Sequence, residues 1–174
     1  VGQGSPYKNH PRMIRAFVAA MGTRSDHKLV LVRRFSRVDS EMTELLSRPE
    51  VQRLVVTIPH VTDEVLFTLY AHAQMLLFAS LYEGFGLPAV EAMGFGLPVL
   101  ASTAEAVREV TGDAALHADP YSHDDLVAKI RSLDSDAALR ARLVEAGLRR
   151  AREFSWERAA RATLDVYREA AGRR

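Results

Sequence analysis

The 174-residue sequence contains 48% hydrophobic and 26% charged residues, 23 Lys and Arg against 22 Asp and Glu, and no cysteine. This composition predicts one ordinary globular domain and excludes disulfide scaffolds, thiolate metal sites and cysteine nucleophiles. With a net charge of +1 and 7% aromatic residues, the sequence lacks the features of a nucleic-acid-binding protein. Its apolar runs are too short to predict a membrane span.

The first two thirds of the chain alternate predicted strands and helices. A helix is predicted from His10 to Gly22, because Pro11 suits a first helical turn and apolar residues recur at helical spacing. The other elements predicted in this part are strands at 28–32, 54–58, 75–79, 98–101 and 115–118, and helices at 40–46, 88–93 and 105–110. Regular alternation with short connections predicts a parallel sheet covered by helices on both faces.

Four further helices are predicted, two of them together with their inward faces. Thr62 is the predicted N-cap of a helix whose apolar face comprises Val65, Leu66, Leu69 and Tyr70. From residue 122 the pattern is purely helical, at 123–133, at 136–153 and after Ser155, with Trp156, Ala159, Ala160, Leu164 and Tyr167 inward. We therefore predict a single domain over 1–174, with a Rossmann-like doubly wound α/β core to about residue 121 and a helical C-terminal part from about residue 122.

The loop at residues 80–91 is the densest candidate for a binding site, because ligands of doubly wound sheets lie beyond the carboxyl ends of the strands. Gly86 allows a tight turn, Pro88 suits the first turn of the next helix, and a helix start favours an anion. Glu83 and Glu91 can face one cleft and accept hydrogen bonds from sugar hydroxyls. From spacing alone, a tight turn followed by an acid near the helix start is an equally good interpretation.

Other candidate positions give weaker signals. The glycine-rich stretch 2–9 ends in Lys8 and could cradle a phosphate, although in isolation a solvated lysine is the commoner case. Ser102 and Thr103 are interpreted as capping the next helix. Asp134-Ser135-Asp136 forms a DxD triplet of the kind that can bind a metal ion, but it lies between two helices, which favours helix capping. The histidines show no two-ligand spacing on one helix face, so no metal site is predicted.

The stretch EGFGLPAVEAMGFGLPVLAS, from Glu83 to Ser102, resembles the signature of retaining nucleotide-sugar glycosyltransferases of family 4, whose donor-binding domain carries an E-x7-E pair. Further segments fit the family in the same order: Val1-Gly2 with Lys8-Asn9, 29–32, 61–64 with 69–70, 109–115 and 149–156. The resemblance covers nearly the whole chain. It implies the C-terminal, donor-binding half of a GT-B glycosyltransferase.

The resemblance also implies roles for individual residues. Lys8 and Glu83 are the expected catalytic residues, with Lys8 neutralising the diphosphate leaving group and Glu83 meeting hydroxyls of the donor sugar. Glu91 is expected to hold the ribose hydroxyls. The other expected donor-binding positions are Gly2, Val61, Gly84, Phe85, Gly86, Leu87 and Arg33. Because Lys8 and the helix start supply positive charge where the leaving phosphate becomes negative, the resemblance implies no metal and no cofactor.

Two departures from the family pattern stand out. Many members place an arginine between the first glycine and the lysine, where this chain has Gln3, Ser5 and Tyr7. Arg33 and Arg34 follow the predicted strand at 28–32, and one of them is a candidate to supply that charge; a solvated pair is the alternative. Phe95 replaces a residue that is commonly small in the family.

By this resemblance the chain serves transfer of a hexosyl group, mannosyl being one candidate, from a GDP- or UDP-sugar to a glycan or lipid-linked acceptor in polysaccharide biosynthesis. The acceptor domain that precedes the donor domain in the family is missing from this sequence, so we expect no turnover by the chain alone. The expected location is cytoplasmic, with peripheral attachment to the inner membrane face left open. The alternatives are a stand-alone, non-catalytic nucleotide-binding or scaffolding domain and half of a GT-B sugar-nucleotide epimerase, against which the Glu83–Glu91 spacing argues.

Overall fold

A computed structural model describes residues 1–22, 26–34 and 40–172. Its strands are β1 (Gly2–Gln3), β2 (Leu29–Arg34), β3 (Val55–Ile58), β4 (Leu76–Phe78), β5 (Val99–Ser102) and β6 (Leu116–Ala118). Its helices are α1 (His10–Met21), α2 (Ser40–Ser47), α3 (Pro49–Leu54), α4 (Asp63–His72), α5 (Leu87–Gly94), α6 (Glu105–Thr111), α7 (His123–Ser135), α8 (Ala137–Ala151) and α9 (Trp156–Gly172). The predicted elements are present within a few residues of their expected bounds. Helix α3 was not predicted.

All the strand pairs are parallel, in two three-stranded groups ordered β1-β2-β3 and β4-β5-β6. Leu31 pairs with Thr57 in the first group, and Leu100 pairs with Leu116 in the second. The chain moves outward from β1 to β3 and then outward from β4 to β6, so the strand order reverses between β1 and β4. In doubly wound sheets that reversal is where ligands bind. The predicted parallel α/β class is confirmed.

Strand β1 is short and pairs only with the end of β2, through Gly2 with Arg33 and Gln3 with Arg34. An apolar cavity of about 450 Å³ lies between β2 and β4, with Leu31, Leu66 and Leu76 among its lining residues. The two strand groups are joined by a shared core cluster, which contains Leu31 and Val55 of the first group and Leu100 and Ala118 of the second.

Buried side chains form two clusters, and β5 contributes to both. Leu100 belongs to the cluster formed with α1, α2, α3 and α7. Val99 and Ala101 belong to the other, formed with α5 and α6. Because successive residues of a strand point to opposite faces, this division shows that helices cover both faces of the sheet, as predicted. Burying a Val or Leu side chain stabilises the fold by about 1.5–3 kcal/mol, which makes these faces the main source of stability.

Helix α4 begins as predicted, and its packing departs from the prediction at one residue. The Thr62 hydroxyl accepts a hydrogen bond from the Val65 backbone N–H at 3.4 Å, which confirms the N-cap. The predicted apolar face is correct at Leu66, Leu69 and Tyr70, which are half-buried or buried, and wrong at Val65, which remains 44% exposed. The helix contacts the core through its last turn, while half-buried Leu66 packs at the edge of the cluster.

The predicted inward face of α9 is wrong. No residue of this helix is buried within the described structure, and Trp156 is 82% exposed. The apolar residues do share one face, as their spacing requires, but no described element packs across it. Periodicity identifies such a face without identifying the surface that covers it.

Predicted capping is correct at one position and wrong at another. The Asp136 carboxylate accepts the Leu139 backbone N–H at 2.8 Å and caps α8, as the position of the DxD triplet predicted. Helix α6 instead has Ala104 as its N-cap. The backbone N–H of Thr103 donates to the Ala118 carbonyl at 3.0 Å, which extends the pairing of β5 with β6. Helix α6 therefore starts too far along the chain for Ser102 or Thr103 to be its N-cap.

Candidate functional site

The loops that follow β1 and β4 are fixed to each other at the point where the strand order reverses. The Leu81 backbone N–H donates to the Tyr7 carbonyl at 2.7 Å. The buried amide of Asn9 donates to the carbonyls of Ala79 at 3.0 Å and Pro120 at 2.8 Å, which adds the loop after β6. Asn9 has a left-handed backbone, φ 57°, a conformation that asparagine tolerates better than most residues. These contacts hold three loops at one edge of the sheet.

Lys8 and Glu83, the two predicted catalytic residues, form an ion pair across this junction. Lys8 Nζ lies 2.7 Å from Glu83 Oε1, and their side chains are only 11% and 10% exposed. The ammonium group also lies 5.4 Å from the ring centroid of Tyr7 and 5.6 Å from that of Phe78. Aromatic faces attract cations at such distances, so the charge of Lys8 is held by one carboxylate and two rings.

The start of α5 is shaped by Gly86 and Phe78. Gly86 is the N-cap, with φ 106°, and a Cβ there would lie 3.3 Å from Phe78 Cε1. Glycine thus meets both a backbone and a steric requirement. The first N–H groups of a helix have no acceptor inside it and carry partial positive charge. The N-terminus of α5 therefore presents positive charge to the space in front of this helix. Phe78, whose ring lies next to both Gly86 and Lys8, was not identified as a site residue from the sequence.

The remaining predicted positions of this loop are more open. Gly84 has free space where a Cβ would stand. Phe85 and Leu87 are both exposed, and the Phe85 ring packs edge-on against Phe154 with 5.5 Å between centroids. The Phe154 contact ties the loop to the segment between α8 and α9. Gly84, Phe85 and Leu87 are therefore exposed, whereas Gly86 between them is buried.

Gly2 and Val1 lie beside Lys8. Gly2 has φ 141°, and an added Cβ would lie 3.3 Å from Lys8 Cε. Lys8 and Glu91 both lie near Val1, at the start of β1.

Glu91 is held by a tyrosine that the sequence did not identify as a site residue. The Tyr70 hydroxyl donates to Glu91 Oε2 at 3.0 Å. Tyr70 is 3% exposed, and burial first, then the Glu91 charge and hydrogen bond, raises the pKa of its phenol well above the usual value. The phenol therefore stays protonated and donates to the carboxylate.

The other sequence-predicted positions lie at the same edge or outside the described part. Half-buried Val61 lies in the loop between β3 and α4, and no hydrogen bond among the described residues connects it to Lys8 or Glu83. The backbone of Arg33 pairs with Gly2, but its side chain lies outside the described residues, so its predicted role does too. Across residues 1–22, 26–34 and 40–172, no three His, Asp or Glu side chains are grouped to hold a metal ion. None of the helices in these ranges is long and apolar enough to cross a membrane.

The fold and the site define a doubly wound α/β domain with a lysine–glutamate pair and a glycine-led helix start at its switch point. Residues 1–150 match the family described as glycosyl transferases group 1. The chain belongs to this family, which confirms the resemblance to glycosyltransferases at that level.

Named relatives agree with this assignment. The chain is 35% identical over 169 residues to O-antigen chain mannosyltransferase B of Escherichia coli, covering 97% of this chain and 44% of that protein. It is 39% identical over 173 residues to MMP alpha-(1->4)-mannosyltransferase of Mycolicibacterium hassiacum, covering 97% of this chain and 41% of the relative. The chain therefore spans less than half the length of these two relatives.

A solved structure shows the same fold. The C-terminal domain of a glycosyl transferase group 1 family protein from Francisella tularensis superposes with a TM-score of 0.78. The match covers 88% of this chain and 82% of that domain at 24% identity. The predicted half of a GT-B architecture is confirmed at the level of fold.

Proposed function

We propose that this chain is the nucleotide-sugar-binding domain of a retaining, metal-independent hexosyltransferase that takes a GDP- or UDP-sugar as donor. The observation that carries the proposal is the Lys8–Glu83 pair, 2.7 Å apart at the start of α5. The names of two relatives, both mannosyltransferases, support mannosyl as the transferred group and a glycan or lipid-linked sugar as the acceptor.

The ion pair suits a donor whose charged and hydroxylated parts are adjacent. Lys8 would exchange its carboxylate partner for the diphosphate, and Glu83 would then accept hydrogen bonds from sugar hydroxyls. Both groups are already largely shielded from water, so each is oriented before the donor binds. A lysine and a helix start aimed at the leaving phosphate stabilise the charge that develops as the glycosidic bond breaks.

The same arrangement supports the proposal that catalysis needs no metal. The departing diphosphate needs positive charge, and here Lys8 and the N-terminal N–H groups of α5 would provide it. Backbone groups would also contact the donor, at Gly2, Gly84, Phe85, Gly86 and Leu87. Val61 would lie at the edge of the base. The charge that Arg33 would add belongs to the same proposal.

The ribose would bind at Glu91. Its Oε2 accepts the Tyr70 hydroxyl, which leaves Oε1 to accept hydrogen bonds from ribose hydroxyls. The proposal extends to the whole enzyme. Residues 1–174 would form one domain, the acceptor would bind in a further domain, and turnover would require both domains. The enzyme would work in the cytoplasm, or at the inner face of the membrane, in polysaccharide biosynthesis.

Calorimetric titration of the chain with GDP, UDP, ADP and their hexose conjugates tests the proposal. One base should bind equally well with magnesium and with EDTA. Lys8→Met should weaken the diphosphate far more than the nucleoside, whereas Arg161→Met, which removes a cation from exposed α9, should change neither. Binding of no nucleotide by the folded chain, or binding only with magnesium, would contradict the proposal.

A further inference from the structure

Phe95, the bulky residue that departs from the family pattern, packs against the tyrosine that holds Glu91. The centroids of the Phe95 and Tyr70 rings are 5.9 Å apart with their planes tilted by 35°, and Phe67 stacks on Phe95 at 5.2 Å. Phe95 also ends the helix that carries Glu91, since its backbone N–H donates to the Glu91 carbonyl at 3.2 Å. Two aromatic rings of α4 thus meet the end of α5.

We infer that Tyr70 and Phe95 are positioning residues for Glu91, which they hold with one carboxylate oxygen free for the ribose hydroxyls of the donor. This inference rests on the proposed function. Phe95 restricts the Tyr70 ring, and the Tyr70 hydroxyl fixes Glu91 Oε2. The remaining oxygen then faces the ligand in one orientation before binding.

A glutamate carboxylate benefits from such a restraint because its terminal torsion is broad, so the plane of the carboxylate is free to rotate. The hydrogen bond at 3.0 Å from a phenol that is 3% exposed removes this freedom. Because Tyr70 is buried, water competes little for the hydrogen bond between its hydroxyl and Glu91. The carboxylate therefore presents its second oxygen without reorganisation, a condition that precise polar recognition requires.

Phe95 is placed to act on Tyr70 and not on the ligand. It lies at the C-terminal end of α5, whereas the proposed diphosphate site lies at the N-terminal end of that helix. Its ring remains 43% exposed, so its removal leaves no large buried void. Offset and tilted aromatic pairs are favourable beyond their buried area, so the contact supports one ring orientation.

The test compares GDP and UDP with their 2′-deoxy and 3′-deoxy analogues. The readout is the dissociation constant of the deoxy analogue divided by that of the parent nucleotide, so a lower ratio means a weaker preference for ribose. A role in folding alone weakens ribose and deoxyribose ligands equally and leaves this ratio unchanged. Tyr70→Phe should lower the ratio about tenfold, the size of one hydrogen bond to a charged group. Phe95→Ala should lower it in the same direction by a smaller factor, and Glu91→Gln should lower it furthest. Tyr167→Phe, which removes an exposed hydroxyl on α9, is the matched control and should leave the ratio unchanged.

The outcomes separate this inference from the proposed function. An unchanged ratio in Tyr70→Phe, with a wild-type preference for ribose that Glu91→Gln abolishes, would overturn the inference alone. A wild-type chain that binds ribose and deoxyribose ligands equally, or binds none, would overturn the role of Glu91 and the inference with it. If Tyr70→Phe does not fold, Phe95→Ala decides between the same results, because its side chain is half-exposed.

Discussion

Replacing Lys8 with methionine should destabilise the domain through the carboxylate that it leaves behind. Lys8 Nζ and Glu83 Oε1 are 2.7 Å apart, with side chains 11% and 10% exposed. Removing one partner of a buried ion pair costs about 3–5 kcal/mol, because an uncompensated charge remains. Since each side chain keeps some contact with solvent, we expect the lower end of this range, about 3 kcal/mol.

Glu83→Gln should cost less, about 1.5–3 kcal/mol, the value of a hydrogen bond to a charged group. The glutamine oxygen can still accept from Lys8, and the ammonium keeps its contacts with Tyr7 and Phe78. In the double variant neither charge remains. Its loss of stability should therefore be smaller than the sum of the two single losses by at least about 1.5 kcal/mol.

Urea denaturation followed by circular dichroism measures these differences. For a domain of this length each kcal/mol lowers the Tm by about 2–4 °C, so Lys8→Met should melt about 6–12 °C below the wild type. Arg161→Met, which removes an exposed partner of Glu157 on α9, should stay within about 0.5 kcal/mol. A Lys8→Met loss as small as that of this control, or strictly additive losses in the double variant, would refute the reasoning.

Further predictions concern the glycine-led turn, the loop junction and pH. Gly86→Ala should cost about 1–3 kcal/mol because φ is 106° and Phe78 is 3.3 Å from the new Cβ, whereas Gly84→Ala should have little effect on urea denaturation. Asn9→Ala should cost about 2–3 kcal/mol in the same assay, since two buried hydrogen bonds are lost, and wild-type stability would contradict the role of the junction. Burial lowers the pKa of His117 below its usual 6.5, so the folded state binds fewer protons and the free energy of unfolding should fall as pH drops below about 6.5. His117→Gln should flatten this dependence, and an unchanged pH profile would contradict it.

Local sequence patterns predicted most of the fold because each acts over a few residues. Proline at the start of α1, the Thr62 cap and the valine-rich runs each determine their own element. Helix α3 escaped prediction because it is six residues long, Pro49–Leu54, too short for periodicity to register. Periodicity alone wrongly predicted that the apolar face of α9 is buried, because what covers an amphipathic face is decided by tertiary structure.

The candidate site was predicted in its residues more than in its contacts. Glycine spacing and paired acids marked Glu83 and Glu91, but the Lys8–Glu83 ion pair joins positions 75 residues apart, and no local pattern encodes that contact. Tyr70 was assigned only to an apolar face, since a tyrosine at helical spacing indicates packing. Its hydrogen bond to Glu91 depends on how α4 meets α5. Asn9 carried a usable signal, because asparagine adopts a left-handed backbone more readily than most residues do.

The most direct test of the central claim, that the switch-point loops bind a nucleotide diphosphate, is an NMR titration of the ¹⁵N-labelled chain with GDP and UDP. One nucleotide should shift the amide signals of residues 2–9 and 83–91 together with that of Val61. The amide signals of helices α7, α8 and α9 should not shift. Saturable shifts confined to those helices, or no shift at residues 2–9 and 83–91 with either nucleotide, would contradict the claim.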